Sequence, residues 1–284
     1  MSTPITSVAI VGGGFMGTGI AETVAEAGIP VVVRELPEYL DATRQRIDTS
    51  FGRAVKRGKL DVAQRDSALG RITLTSELED IAGADLVIEA VPEILEVKTS
   101  LMNALDRIVG EHTIIGSNTS AIPIAKLAGA VHKPERVVGL HFFSPVPVMA
   151  LVEIVRALDT SDETVDTMRT FVERLGKQAI ETKDRSGFIV NFLLIPYLMA
   201  AVRMFEEGFA SREDIDQGMK LGAGHPIGPL ALCDFIGLDV LLAVCDSLFD
   251  EFKRAEYAPP PLMRRMIAAG RLGRKSGIGF YNYS

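Results

Sequence analysis

The run GLHFFSPVPVMALVEIV, residues 139–155, is almost wholly apolar, yet it carries an imidazole at His141 and a carboxylate at Glu153. Isolated charges in such surroundings are costly, so the two groups must pair or stay neutral. A histidine whose ring is oriented by a buried acid is a general acid–base catalyst, whereas the same pair satisfied in a core is only structural. The other histidines compete poorly. His112 and His132 lie in the polar turns GEHT and VHKPE, and His225 lies in the Gly/Pro loop GAGHPIGP. A hairpin-like return through SPVPVM would bring His141 and Glu153 together. Ser120, at the end of IIGSNTS, and Asn191, within FIVNFLL, are further polar groups in apolar stretches. Each stands open between function and structure, as a helix cap for the serine and a backbone-bonded core amide for the asparagine.

A second constellation sits near the N-terminus. VAIVGGGFMGTGIAE contains G-x-G-x-x-G at Gly12, Gly14 and Gly17, with Gly13, Phe15 and Met16 completing the turn. The motif alone is weak, but here it leaves an expected strand, enters an expected helix and meets an acid, Glu35, about 20 residues on, at the end of the next strand. Gly12 permits the tight turn, Gly14 lets a pyrophosphate approach the backbone, and Gly17 lets helix and strand pack closely. The free N–H groups of Phe15 and Met16 then face an anion at a helix N-terminus. Glu35 can accept from ribose hydroxyls. The pattern implies a dinucleotide site, which by itself fits a binding protein as well as an enzyme.

The elements that must position these residues alternate. SVAIVG, PVVVREL, ADLVIEAV, HTIIGSN, RVVGLHF, LVEIVRA and QAIETK read as strands, separated by helical stretches at 15–27, 37–58, 94–109, 122–128 and 162–175. Such alternation implies an α/β fold, a Rossmann-type doubly wound parallel sheet over residues 1–186. Helical patterns at 188–208, 211–220, 229–254 and 260–269 imply a smaller all-α domain over residues 187–284. Residues 186–202 carry no charge, but Asn191 and Pro196 interrupt them, so a buried core or dimer-interface helix is expected instead of a membrane span. The chain has 284 residues and a net charge of −7, which argues against nucleic acid or an anionic membrane as partner. Cys233 and Cys245 lack metal-ligand spacing and suit a core in a reducing compartment; no metal site is expected. The N-terminus lacks a signal-peptide pattern, so a cytoplasmic location is expected.

Taken together, VGGGFMGTGIAE, ADLVIEAVPE, SNTSAIPI, GLHFFSPVPVMALVEIV, SGFIVN, HPIGPLALCDFIGLD and GRKSGIGFYNY resemble, in order and end to end, the 3-hydroxyacyl-CoA dehydrogenase family, and within it the bacterial 3-hydroxybutyryl-CoA dehydrogenases. The resemblance implies an NAD-dependent oxidoreductase of short-chain (S)-3-hydroxyacyl-CoA thioesters, and apolar segments such as 188–202 suggest that the helical domain carries a homodimer surface. It makes His141 the general base, Glu153 its orienting carboxylate, and Ser120 and Asn191 holders of the substrate. It places Glu93, Lys98, Ser120, Ser144 and Lys275 with the glycine turn and Glu35 around NAD, and Ser50 and Arg57 against coenzyme A. The chain departs from the family pattern at Ser144 and Gly224, where asparagine is usual, at Phe192, where arginine is common, and at Glu35, where Asp is more frequent. Ser144 and Gly224 fit, as an alternative, a paralogue acting on a carrier-protein-bound or unusual hydroxyacyl group; a non-catalytic NAD-binding protein is the alternative from a different class.

Glu35 also carries a prediction. A carboxylate beside the ribose accepts from a 2′-hydroxyl and repels a 2′-phosphate, while strand alternation turns Arg34 to the other face. With acetoacetyl-CoA at one ionic strength, kcat/KM is expected to favour NADH over NADPH by at least about tenfold, roughly 1.4 kcal/mol. Equal efficiencies would show that Arg34 outweighs Glu35.

Overall fold

The computed structural model describes residues 4–283. The chain divides into two compact units, Met1–Arg185 and Ser186–Ser284.

The first unit is built on eight strands: β1 (Val8–Val11), β2 (Val31–Arg34), β3 (Ile72–Thr75), β4 (Leu86–Glu89), β5 (Ile114–Ser117), β6 (Val137–Phe142), β7 (Leu151–Arg156) and β8 (Gln178–Lys183). They form one sheet in the order β3-β2-β1-β4-β5-β6-β7-β8. Helices α1 (Phe15–Glu26), α2 (Leu40–Lys56), α3 (Val62–Leu69), α4 (Leu95–Ile108), α5 (Ile124–Ala128) and α6 (Asp162–Arg174) connect them. This is the doubly wound Rossmann-type architecture. Strand order reverses between β1 and β4, and such a switch point opens a crevice at the carboxyl ends of the strands. The central strands β1, β4 and β6 are buried throughout, as strands covered on both faces must be.

The sheet is parallel except at one pair. Only residues 143–150 separate β6 from β7, too few for a crossover, so the chain must return antiparallel. The register of that pair sets Gly139 opposite Val155, Leu140 opposite Ile154 and His141 opposite Glu153. Side chains directly opposite in an antiparallel pair share one face, about 5 Å apart at Cβ.

Other boundaries differ from the sequence reading. A short strand, β3, and helix α3 were not anticipated. RITLTS packs only partly, so its pattern is faint. Helix α3 is announced by a capping box, Asp61 with Gln64, which has no long apolar run behind it. The expected helix 37–58 starts with a single tight turn at Pro37–Tyr39 before α2.

The second unit is all helical: α7 (Val190–Glu206), α8 (Arg212–Gly222), α9 (Pro229–Ile236), α10 (Leu238–Phe252) and α11 (Pro261–Ala268). The helix expected over 229–254 breaks at Gly237, whose φ of 102° lies outside helical space. Leu198, Val202, Leu230, Cys233, Leu241 and Cys245 lie in its core. Both cysteines are unbridged, and burial pushes both thiols up, that of Cys245 to about 12. Among the described residues no helix is long and apolar enough to cross a membrane.

Gly139 tests the register. A Cβ there would lie 2.6 Å from Val155 Cβ and 2.9 Å from Ile124 Cδ1. Gly139→Ala is expected to cost about 1–3 kcal/mol of unfolding free energy through overpacking. Urea denaturation measures it, and an unchanged midpoint would contradict the tight β6–β7 face.

Candidate active site

At the carboxyl end of β6, His141 is 4% exposed and its strand partner Glu153 is 0% exposed. His141 Nδ1 lies 2.7 Å from Glu153 Oε2, and Nε2 lies 3.1 Å from Ser120 Oγ. A carboxylate can only accept, so in the neutral ring Nδ1 carries the proton and Nε2 is left as acceptor for the Ser120 hydroxyl. Phe143 covers the imidazole, ring centroids 4.5 Å apart. The arrangement is a base with a fixed tautomer in an apolar setting. Ser120 is therefore not the helix cap its position suggested. Asp184 accepts from the first N–H groups of α5, those of Ile124 and Ala125, while Thr119 Oγ1 accepts from Ala121 and Ile122 in the turn before it.

Behind Ser120 lies a charged network, buried at Glu89 and Lys98, that the sequence reading only partly foresaw. Glu93 Oε1 accepts from Thr119 Oγ1 at 2.5 Å and from Ser120 N at 2.9 Å. Its other oxygen, Oε2, meets Lys98 Nζ at 3.1 Å. Burial raises the Glu93 carboxyl, but Lys98 and these hydrogen bonds outweigh it and hold the group below the ordinary glutamate value. Lys98 is 1% exposed, and its ammonium also contacts Glu89 Oε1 at 2.6 Å and the Val91 carbonyl at 3.2 Å. Glu89, at the end of β4, further accepts from Ser117 Oγ and Val91 N. Glu89 was missed because an acid at the end of ADLVIE reads as a strand terminus. Its signal was full burial of the strand around it.

The glycine turn fits a dinucleotide. A Cβ on Gly12 would lie 2.5 Å from the Ala90 carbonyl oxygen, and one on Gly17 would lie 1.8 Å from the Gly12 carbonyl oxygen. Those two positions are closed to any side chain. A Cβ on Gly14, the N-cap of α1, meets nothing within 4 Å, which is the open approach a pyrophosphate needs. Glu35 accepts from Gly13 N and Leu36 N, both at 2.7 Å, so its carboxylate faces the turn. Arg34 instead donates from Nε to the Ser76 carbonyl at 3.1 Å. Thr43 and Arg46 of α2 both donate to the Gly13 carbonyl, tying that helix to the turn.

A cavity of about 580 Å³ opens between α1, α2 and residues 145–148. Arg46, Arg53, Arg57 and Lys59 line it, against a single carboxylate, Glu22. Phe15, Val146, Pro147 and Val148 supply apolar wall. Ser50 is also in the lining and donates to Glu22. Both residues expected against coenzyme A, Ser50 and Arg57, thus share one basic pocket.

Other expected residues lie elsewhere. Ser144 is exposed in the turn after β6. Asn191 is half-buried in the first turn of α7, and Lys275 pairs with Asp239 at 2.5 Å; both belong to the second unit. Gly224 has φ of 70°, a left-handed conformation that glycine adopts freely and asparagine tolerates, so that departure leaves the loop's shape available. Phe192 packs against Phe252 and Tyr257, which accounts for an aromatic residue there. His112 and His132 are exposed, the latter beside Asp106, and His225 Nδ1 meets Tyr197 Oη at 3.1 Å.

The buried network predicts a measurable cost. Lys98→Met leaves Glu89 and Glu93 without their cation, and breaking a buried pair costs about 3–5 kcal/mol. Adding Glu89→Gln should recover part of that loss. Equal stability of Lys98→Met and the parent in urea unfolding would show that the ion pair is idle.

Comparison with known proteins agrees over the whole chain. Residues 7–185 match the NAD binding domain of 3-hydroxyacyl-CoA dehydrogenase, and residues 187–283 match its C-terminal domain. A 3-hydroxybutyryl-CoA dehydrogenase of Mycobacterium tuberculosis is 50% identical over 100% of both chains. The human mitochondrial hydroxyacyl-coenzyme A dehydrogenase is 40% identical over 98% of this chain and 91% of its own. The crystal structure of (S)-3-hydroxybutyryl-CoA dehydrogenase from Ralstonia eutropha superposes with a TM-score of 0.93 at 47% identity, covering 99% of each chain. Glycine turn, doubly wound sheet and helical second unit all agree with these matches, and the chain belongs to the 3-hydroxyacyl-CoA dehydrogenase family of NAD-dependent oxidoreductases.

Proposed function

We propose that this chain interconverts short-chain (S)-3-hydroxyacyl-CoA and 3-oxoacyl-CoA thioesters, with 3-hydroxybutyryl-CoA and acetoacetyl-CoA as the preferred pair and His141 as general acid–base. The observation that carries this reading is the buried chain Glu153–His141–Ser120, with contacts of 2.7 and 3.1 Å. The basic cavity between α1 and α2 suits a polyanionic carrier, and relatives covering the whole chain bear the 3-hydroxybutyryl-CoA dehydrogenase name.

In oxidation, His141 Nε2 takes the C3 hydroxyl proton while the C3 hydride departs, so the alcohol becomes a ketone. NAD⁺, when bound, supplies the hydride acceptor. Ser120 Oγ, already at hydrogen-bond distance from Nε2, keeps the substrate oxygen on the imidazole. Glu153 holds the Nδ1 proton and stabilises the imidazolium that forms. In reduction the same imidazolium returns its proton to the C3 oxygen. The surrounding apolar residues exclude water from the transfer. Asn191 is a further substrate-holding residue in this reading. The NAD set comprises Gly12–Gly17, Glu35, Glu93, Lys98, Ser120, Ser144 and Lys275, with Lys98 acting through Glu93. Ser50 and Arg57 receive coenzyme A. The second unit supplies the homodimer surface, a reading supported by its exposed apolar side chains Leu193, Phe209 and Leu221, and the enzyme works in the cytoplasm.

Turnover of acetoacetyl-CoA with NADH tests the reading. His141→Gln should lower kcat by about 10²–10⁴ with NADH binding retained. His141→Gln and Glu153→Gln should be strongly non-additive when combined, because one acts through the other. Additive losses would separate the pair, and no turnover by the parent chain would favour a non-catalytic NAD-binding protein.

A further inference from the structure

Glu22 belongs to no part of the mechanism above. It sits on α1, 2% exposed, and lines the cavity whose other charged groups are cationic. Ser50 of α2 donates to its Oε2. No lysine or arginine reaches it within ion-pair distance among the described residues, although four line the same wall. A carboxylate placed among guanidiniums would ordinarily pair with one of them. This one is instead held by a neutral hydroxyl in a pocket fit for a polyanion.

We propose that Glu22 recognises the carrier arm of the acyl thioester, its protonated carboxyl donating a hydrogen bond to that arm and its ionised form turning the anionic carrier away. The inference rests on the acyl-CoA reading of the cavity. Its chemistry follows from charge. The phosphates of coenzyme A are acceptors only, and a carboxyl donates to a phosphate only while it keeps its proton.

The groups around Glu22 are few. On α1, Glu26 lies one turn on. On α2, Arg46 and Arg53 line the cavity, and Arg57 and Lys59 follow that helix. Lys177, after α6, bears on Glu26 and donates to the carbonyls of Val146 and Met149. On α3, Arg65 and Asp66 pair with each other, and residues 145–148 bring no titratable group. Burial raises the Glu22 carboxyl most; Ser50 and Lys59 lower it and Glu26 raises it, and the balance takes it from 4.5 to about 7.

The carboxyl thus changes charge near neutrality, and carrier binding should follow. The KM for acetoacetyl-CoA, and the calorimetric Kd for free coenzyme A, should rise about tenfold from pH 6 to pH 8, as the competent form is depleted. Glu22→Gln, whose amide still donates, should give a low KM that ignores pH over this range. Glu22→Ala should bind weakly at both ends. Ser50→Ala, which removes a bond favouring the ionised form, should move the step to higher pH. Because the folded chain holds this proton more tightly than the unfolded chain, stability should fall as pH rises from 4.5 to about 7, and Glu22→Gln should remove that fall in Tm.

A pH step that persists in Glu22→Gln overturns the proposal, whether or not it vanishes with a 3′-dephospho thioester, and so does a parent KM that is flat. If the parent binds NADH but neither coenzyme A nor acetoacetyl-CoA at any pH, the acyl-CoA reading fails and the assignment of Glu22 falls with it.

Discussion

The reversal of chain direction between β6 and β7 is the constraint on which the site depends. A parallel sheet puts each functional residue at its own strand end, and pairing two of them requires loops to reach across. The short 143–150 connection forbids a crossover and makes the last third of the sheet turn back on itself. Two residues then face each other by register alone. An imidazole and a carboxylate meet at 2.7 Å without any loop having to hold them. The parallel strands on either side provide the apolar cover that makes the pairing obligatory, since neither group has water to fall back on.

The second charged network serves geometry in another way. Glu89, Lys98 and Glu93 form a chain, buried at Glu89 and Lys98, whose exposed outer member grips the backbone of Ser120. Buried ion pairs contribute little net stability, because desolvation offsets much of their attraction. Their use here is directional. Lys98 has two carboxylates and a carbonyl to satisfy, which leaves Glu93 few alternative positions, and Ser120 inherits that restriction. The hydroxyl that meets His141 is thereby placed from beneath, by the ends of β4 and β5, while the imidazole is placed from the side, by β7.

Much of this was legible in the order of residues. The glycine turn, the acid at the end of β2 and the alternation of β and α segments carry period and composition signals that need no tertiary information. His141 and Glu153 stood out because ionisable groups in an apolar run demand an explanation. What escaped did so for physical reasons. Strand β3 is half-exposed and short, so alternation is weak. Gly237 breaks a helix through a positive φ that an apolar pattern running across it does not encode. Glu22 reads as a surface acid on IAETVAEAG, and only the packing of α2 against α1 buries it. Glu89 and Lys98 pair across nine residues of sequence, but that pairing exists only once α4 lies against the sheet end.

The two cysteines bear on the kind of substrate this fold handles. A thioester is an activated acyl group, and the ordinary hazard for a protein that binds one is exchange onto its own thiols. That exchange needs a thiolate at an accessible position. Cys233 and Cys245 are both buried in the helical unit, and burial pushes both thiols up, Cys245 to about 12, which disfavours the thiolate near neutral pH. The chain holds no other cysteine. Transfer of an acyl group from a 3-oxoacyl thioester onto a protein thiol is thereby disfavoured at both positions.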